Sequence, residues 1–232
     1  MSYQSLLARP PAPAALYRQE DVEPRAWDDL VRAGHLVPLT EDVARHRTAP
    51  DSAATRATAL MRWAARGAAI VDASAAWVHA PHACAVLTGA PPSGTVVRHR
   101  LEMHRGPVRL AYTKDQSRPT SRPEITVRRT SFAPDDVLEL VVPPVPFTPF
   151  TQTARLAPAA PQTVRVTSPT RTVLDLAGNH EHGRTVTAIV ALAAAGADLS
   201  AAIQRVCWAS QWHHRDQTMA ALEDAFARWQ DG

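Results

Sequence analysis

The chain has 232 residues, 45% of them hydrophobic and 6% aromatic, with 20 prolines and a formal net charge of +3. That length either buries one sizeable core or divides into a small and a larger domain, and two domains are expected. No apolar run is long enough to cross a bilayer and the N-terminus carries no signal-type apolar core, so a soluble cytoplasmic protein with no membrane partner is expected. Cys84 and Cys207 stand far apart without regular spacing, which argues against a disulfide framework and predicts two small buried hydrophobes.

Residues 1–50 read as a small helical unit. Residues 2–8 and 14–19 are candidate short helices, with Pro10, Pro11 and Pro13 between them. Glu23-Pro24-Arg25 opens a third helix, with Ala26, Leu30 and Ala33 on one face beside Trp27 and Val31, and Gly34 closes it. Residues 36–39 form an extended apolar run and residues 40–47 return from it. Helix, helix, helix and hairpin is the order of a winged helix-turn-helix. In that order the helix over residues 25–33 enters the major groove, so Arg25 and Arg32 are candidate DNA contacts, with His35, Arg45 and Arg47 on or near the wing. Asp28 and Asp29 on the same helix oppose phosphates, so a structural or partner-binding role stands as the alternative.

Pro50 to Ser52 reads as a hinge, and Ser52 caps a helix predicted over residues 53–66. A short buried strand over 69–71 and a short helix over 74–79 follow. His79, His82 and Cys84 cluster as zinc ligands do, but no second Cys or His pair at finger spacing accompanies them. A buried turn with a satisfied histidine is the expectation there, with no metal and no cofactor.

Charge is unevenly distributed. Residues 98–129 hold nine Lys/Arg against three acids, a local balance of +6, so the rest of the chain is net negative. Such asymmetry points to a polyanion, and Arg98, Arg100, Arg105, Arg109, Arg128 and Arg129 are candidate nucleic-acid contacts. An arginine-rich solvated surface explains the same composition. Strands are predicted at 95–98, 108–111, 125–128, 138–141 and 164–167, several with arginines on the polar side, so a sheet with a positive face is expected. Residues 115–123 read as a loop, and the proline-rich residues 143–161, which hold Phe147 and Phe150, as an extended arm or an insertion.

Residues 164–178 (VRVTSPTRTVLDLAG) carry the sharpest local signal. An alternating strand runs into Ser168, an N-cap, and Pro169, a first helical position. The helix buries Val173, Leu176 and Ala177 and stops at Gly178, suited to a left-handed cap. Arg171 in the first turn opposes the helix dipole and needs a partner, and Asp175 one turn on can supply it, making Arg171 and Asp175 a structural pair. Three helices are predicted afterwards: 185–195, apolar nearly all round; a second capped by Ser200 and running to Trp212; and a last one striped with Met219, Leu222, Phe226 and Trp229. These aromatics are expected in the core, although a homodimer seam has the same pattern.

No glycine-rich phosphate loop, nucleophile elbow or zinc-protease helix occurs. Lys114, the single lysine, has no acid two positions before it, so a metal-dependent nuclease core lacks support and no catalytic residue is assigned. The segments WDDLVRAGHLVPL (27–39), SAAWVHA (74–80), ITVRR (125–129) and above all VTSPTRTVLDLA (166–177) resemble the AbiEi family of antitoxins from type IV toxin-antitoxin systems, in their actinobacterial form. The resemblance covers most of residues 16–227. It implies an α+β chain: a small winged-helix-like DNA-binding domain over residues 1–50, then a larger mixed domain over residues 51–232 with a central sheet and C-terminal helices. It further implies a DNA-binding autorepressor that binds double-stranded DNA at its own promoter, with a nucleotidyltransferase-like toxin as functional partner. Two other readings stand beside it: a degenerate nuclease-like or RNA-processing enzyme, and a protein-interaction module without nucleic acid.

Overall fold

Two sheets and a cluster of helices organise the chain in the computed structural model, which describes residues 16–61, 63, 68–87, 103–104, 107–113, 125–142, 162–179 and 181–231. The first sheet is antiparallel and holds β1 (Leu16–Arg18), β2 (Leu36–Pro38) and β3 (Val43–His46) in the order β1-β3-β2. Between β1 and β2 lie a 3-10 turn, Gln19–Asp21, and helix α1, Pro24–Arg32. Glu23 caps α1 by accepting the Ala26 amide at 2.9 Å, Pro24 takes the first turn, and Gly34 leaves the helix at φ +71°. Trp27 buries against Leu36 and Ala44, with Leu30 and Val31 beside it.

Two expectations for this region are corrected. Of the helix expected over residues 14–19, the described part, from Leu16 on, is instead strand β1 and the start of the 3-10 turn: Leu16 pairs with Arg45 across β1 and β3 and is 2% exposed, because joining the sheet buries more of it than a lone turn of helix does. On α1 Trp27 is the buried residue, with Leu30 and Val31 partly buried against it; Ala26 is partly buried too, whereas Ala33, expected on the same face, is exposed. The hairpin over residues 36–47 forms as expected, and the candidate helix over residues 2–8 lies outside the described residues.

The second sheet has five strands, ordered β6-β5-β4-β8-β7: β4 (Ala69–Ile70), β5 (Val108–Tyr112), β6 (Ile125–Arg129), β7 (Val137–Val142) and β8 (Gln162–Thr167). β4 runs parallel to β8, and β5 parallel to β6, while β4 with β5 and β7 with β8 are antiparallel. One face is apolar. Ile70, Val108, Leu110, Ile125, Val164 and Val166 pack there against Leu60 of α2 (Ala53–Leu60) and Trp77 of α3 (Asp72–His79). Leu16, Leu39 and Val43 of the first sheet join the same cluster, so the core is continuous across residue 50. The strands predicted at 108–111, 125–128, 138–141 and 164–167 are all present, and the one at 95–98 lies outside the described residues.

A helical layer closes the fold: α4 (Pro81–Leu87), α5 (Pro169–Ala177), α6 (His182–Ala194), α7 (Leu199–Trp208) and α8 (Arg215–Gln230). Val173, Leu176, Val186, Ile189, Leu192, Val206 and Leu222 form its core. The architecture is therefore mixed α and β, as the sequence led one to expect.

Several details differ from expectation. The turn expected near residues 79–84 is the start of α4, with Pro81 at its first position, where the missing amide costs nothing. α2 ends at Leu60, short of residue 66. Gly178 is right-handed (φ −91°), since α5 closes with a bond from the Gly178 amide to the Leu176 carbonyl. Asp198, not Ser200, caps α7, accepting the Ala201 amide at 2.9 Å, and the helix stops at Trp208, not Trp212. Cys207 is exposed, as is Trp208 at 83%, because both lie on the side of α7 turned from α8 and the core. The stripe on α8 grades outward from buried Leu222 to Trp229, 44% exposed.

Candidate nucleic-acid interface

Helix α1 and the hairpin β2–β3 present the N-terminal candidates to solvent. Arg25, Arg32, His35 and Arg47 are exposed. Arg32 gives Asp29 a hydrogen bond at 2.6 Å, which offsets its charge locally. Arg45 turns inward instead: its Nη1 donates to the carbonyl oxygens of Ala49 (2.9 Å) and Arg47 (3.5 Å) and fixes the end of the hairpin. Residues 16–49 hold five arginines against seven acids, so the unit is net negative although its outer helix face carries cations. Any phosphate contact from it rests on a few individual side chains rather than on a broad field.

The second group of arginines has a different setting. Strand register sets Arg128, Ala111, Ala69, Arg165 and Glu139 side by side across all five strands, on the face opposite the apolar core. Small residues therefore line the middle of that face, with arginines to either side. Residues 130–136 must cross it, since β6 and β7 lie at opposite edges, and Phe132 packs on Ala69, Val71 and Ala111 as they do. Two recesses result. One, of about 480 Å³, lies among Thr113, Phe132, Pro134, Val137, Glu139 and Arg165. The other, of about 280 Å³, includes Arg109, Thr126, Arg128 and Asn179.

Arg109 and Arg128 do not simply project into solvent. Arg109 Nη1 donates to Asp72 Oδ2 at 2.9 Å, and Arg128 Nη2 lies 2.7 Å from Asp175 Oδ2. Both acids are buried, at 4% and 5% exposure. The expected positive face is thus partly neutralised by acids delivered from the start of α3 and from α5. Arg129 is exposed at the end of β6, and Arg98, Arg100 and Arg105 lie outside the described residues.

Arg171 is the hub of a larger network. Ser168 accepts the Arg171 amide at 3.3 Å and so starts α5 where the sequence signals it. From the first turn Arg171 Nε donates to Asp175 Oδ1 at 3.0 Å, confirming the expected pair. Its Nη1 donates to Asp136 Oδ2 at 3.0 Å, and its guanidinium stands 5.7 Å from the Phe132 ring. Asp136 is fully buried. It also receives Arg205 Nη1 from α7 at 2.6 Å and the Ala133 amide at 2.9 Å. One arginine thereby ties the strand-crossing segment to α5, and one aspartate ties α7 to both. Burial opposes the charge on Asp136, yet the Arg205 bond, the Ala133 amide and the charge of Arg171 outweigh it and hold the pKa below the usual carboxylate range. At Asp175 burial prevails over Arg171 and Arg128, and the pKa is raised.

Sequence reasoning did not single out Asp136, Arg205 or Asp72, nor Arg56, which is buried and paired with Asp51 while its Nε donates to the Val78 carbonyl at 2.8 Å. Their partners lie 5 to 69 residues away, so no local spacing marks most of them. The sequence signal that existed for Arg56 was its place on the inward side of α2. His79 Nε2 donates to the Thr167 carbonyl, 2.7 Å away, as the satisfied histidine expected there, while His82 is exposed. Among the described residues no group of three or more His, Cys, Asp or Glu is placed to hold a metal ion, and no helix is long and apolar enough to cross a membrane. Compared with known proteins, the chain matches no family model and no curated protein.

Proposed function

We propose that this chain is a cytoplasmic DNA-binding regulator of antitoxin type, which docks on double-stranded DNA at its own promoter and works beside a nucleotidyltransferase-like toxin. The observation that carries the reading is the run strand, 3-10 turn, helix, strand, strand closing a β1-β3-β2 antiparallel sheet, since this is the strand and helix order of a winged helix from its first strand onward. Trp27 holds α1 on that sheet, leaving Arg25 and Arg32 on its outer side and His35 and Arg47 beside the hairpin. The α+β arrangement with C-terminal helices also fits the AbiEi resemblance. No catalytic step belongs to this reading: Asp72, Asp136 and Asp175 each engage an arginine and none is placed as a free general base.

Few phosphates are contacted. With Arg32 paired to Asp29, about two or three contacts remain, so the logarithm of affinity falls with the logarithm of salt at a slope of about −2 to −3. A mobility-shift titration on the upstream DNA over a salt series tests this. A shift at low salt that Arg25→Ala and Arg47→Ala weaken supports it, and no shift at low salt overturns it. A second reading, a protein-interaction surface, is favoured by the 83% exposure of Trp208. Co-purification of a stable protein that ignores nucleic acid, lost on Trp208→Ala, establishes that reading, and sedimentation shows whether the partner is a second copy.

A further inference from the structure

The 280 Å³ recess between the sheet and the end of α5 is built differently from the rest of the surface. Arg109 and Arg128 stand on neighbouring parallel strands, diagonal to one another on the same face, because Arg109 is level with Thr126 and Arg128 with Ala111. Each guanidinium is paired with a buried carboxylate, through Nη1 to Asp72 for Arg109 and Nη2 to Asp175 for Arg128, and Asp72 itself contributes to the lining of the recess. A guanidinium has five N–H donors, so each keeps donors beyond its ion pair. Their side chains remain 37% and 33% exposed, enough to meet a ligand.

The partner of Arg109 is fixed with some backbone strain. Asp72 has φ +56°, a left-handed conformation uncommon outside glycine, and from it Oδ1 accepts the Ala73 amide at 2.7 Å while Oδ2 accepts Arg109. Asn179 is held by its Nδ2, which donates to the Asp175 carbonyl at 2.6 Å, and Asn179 and Thr126 both line the recess. Two oriented guanidiniums with an amide and a hydroxyl beside them form a pattern suited to oxyanions. At this volume the recess lies just under the range of drug-sized sites, so it takes an anionic group with a small organic portion.

We propose that this recess binds a phosphate group carried by a small polar molecule, with Arg109 and Arg128 as the clamp and Thr126 and Asn179 as flanking hydrogen-bond partners. The site is independent of the α1 surface. It is tested by calorimetry and thermal unfolding of the full chain with inorganic phosphate and with adenosine monophosphate, against chloride at matched ionic strength. Saturable binding with a rise in Tm that chloride does not reproduce is expected, tighter for the nucleotide. Arg109→Lys keeps the charge but loses the fork, and is expected to weaken binding about tenfold. Thr126→Val, at an exposed strand position, keeps the fold intact and is expected to weaken it about threefold. Absence of saturable binding by the unaltered chain up to about 10 mM of either probe overturns the proposal. Binding by both variants as tight as that of the unaltered chain does so too, as does displacement of phosphate by a short DNA duplex, which would assign the recess to a nucleic-acid backbone.

Discussion

The arginines of the first sheet and those of the second teach opposite lessons about one residue type. On α1, Arg32 and Asp29 form a 2.6 Å pair with both side chains more than 70% exposed. Water screens that pair, and its contribution to stability is about 0–1 kcal/mol. Around α5, Arg171 and Arg205 meet an aspartate that is 1% exposed. Removing one partner there leaves a charge without compensation in a poorly solvated place. Exposed arginine on the first surface thus adds little to stability, whereas most arginine in the second region holds segments together.

The largest expected effect comes from the centre of the network. Asp136→Ala removes the ion pair of Arg205 and one of the two of Arg171, releases the crossing segment, and is expected to lower stability by about 3–5 kcal/mol in urea unfolding. The equivalent loss on the surface, Asp29→Ala, stays within about 0.5 kcal/mol, and similar costs for the two would erase the contrast between regions.

Acid sharpens the same contrast. His104 is buried, accepts or donates at Ser74 Oγ 2.9 Å away and meets the edge of Trp77, and burial with the nearby charge of Arg109 lowers its pKa to about 4. Because the folded value lies below the unfolded one, folding opposes protonation. The contribution is intact above about pH 6.5 and is lost as pH falls toward 4, amounting to about 3 kcal/mol. His104→Gln is expected to flatten that part of a stability-against-pH curve; an unchanged slope would place the titration elsewhere. Below it the two aspartates act in opposite senses. The lowered pKa of Asp136 means its contribution is present above the unfolded value and is lost as pH falls through the folded one. The raised pKa of Asp175 means its charge opposes folding at neutral pH and that this cost vanishes in acid, so the Asp136→Asn penalty shrinks as pH falls while the Asp175→Asn one grows.

A helix cap has a smaller effect. Ser168→Ala frees the Arg171 amide and is expected to cost about 1 kcal/mol, read as a shift in the urea midpoint. The smallest stability change is expected from Arg25→Ala, within about 0.5 kcal/mol, since the side chain is exposed. Its effect is expected on DNA affinity alone, and a stability loss above 1 kcal/mol would move Arg25 from the ligand class to the structural one.

Local chemistry made the strand-to-helix junction legible: Val164 and Val166 alternate into the core, Ser168 and Pro169 start the helix, and Asp175 sits one turn from Arg171. The same holds for α1, where Glu23, Pro24 and Gly34 mark both ends within a few residues. Residues 14–19 misled because their composition suits a helix while β3, whose Arg45 lies 29 residues on, offers a better place for Leu16. Trp208 misled for the converse reason. Its spacing is that of a core residue, but the neighbours that cover Val206 do not reach round the helix to it.

By itself the sequence determined most element types, the starts of α1 and α5 and the pair Arg171–Asp175, all of which depend on residues within one or two turns of each other. Only the tertiary structure decided the rest of that pair's company. Asp136, Arg205, Phe132 and Arg128 reach α5 from a crossing segment, a later helix and an edge strand, brought there by sheet order and helix packing. Side-chain type states that a charge exists, whereas burial and the far partner decide whether it binds a ligand or holds the fold.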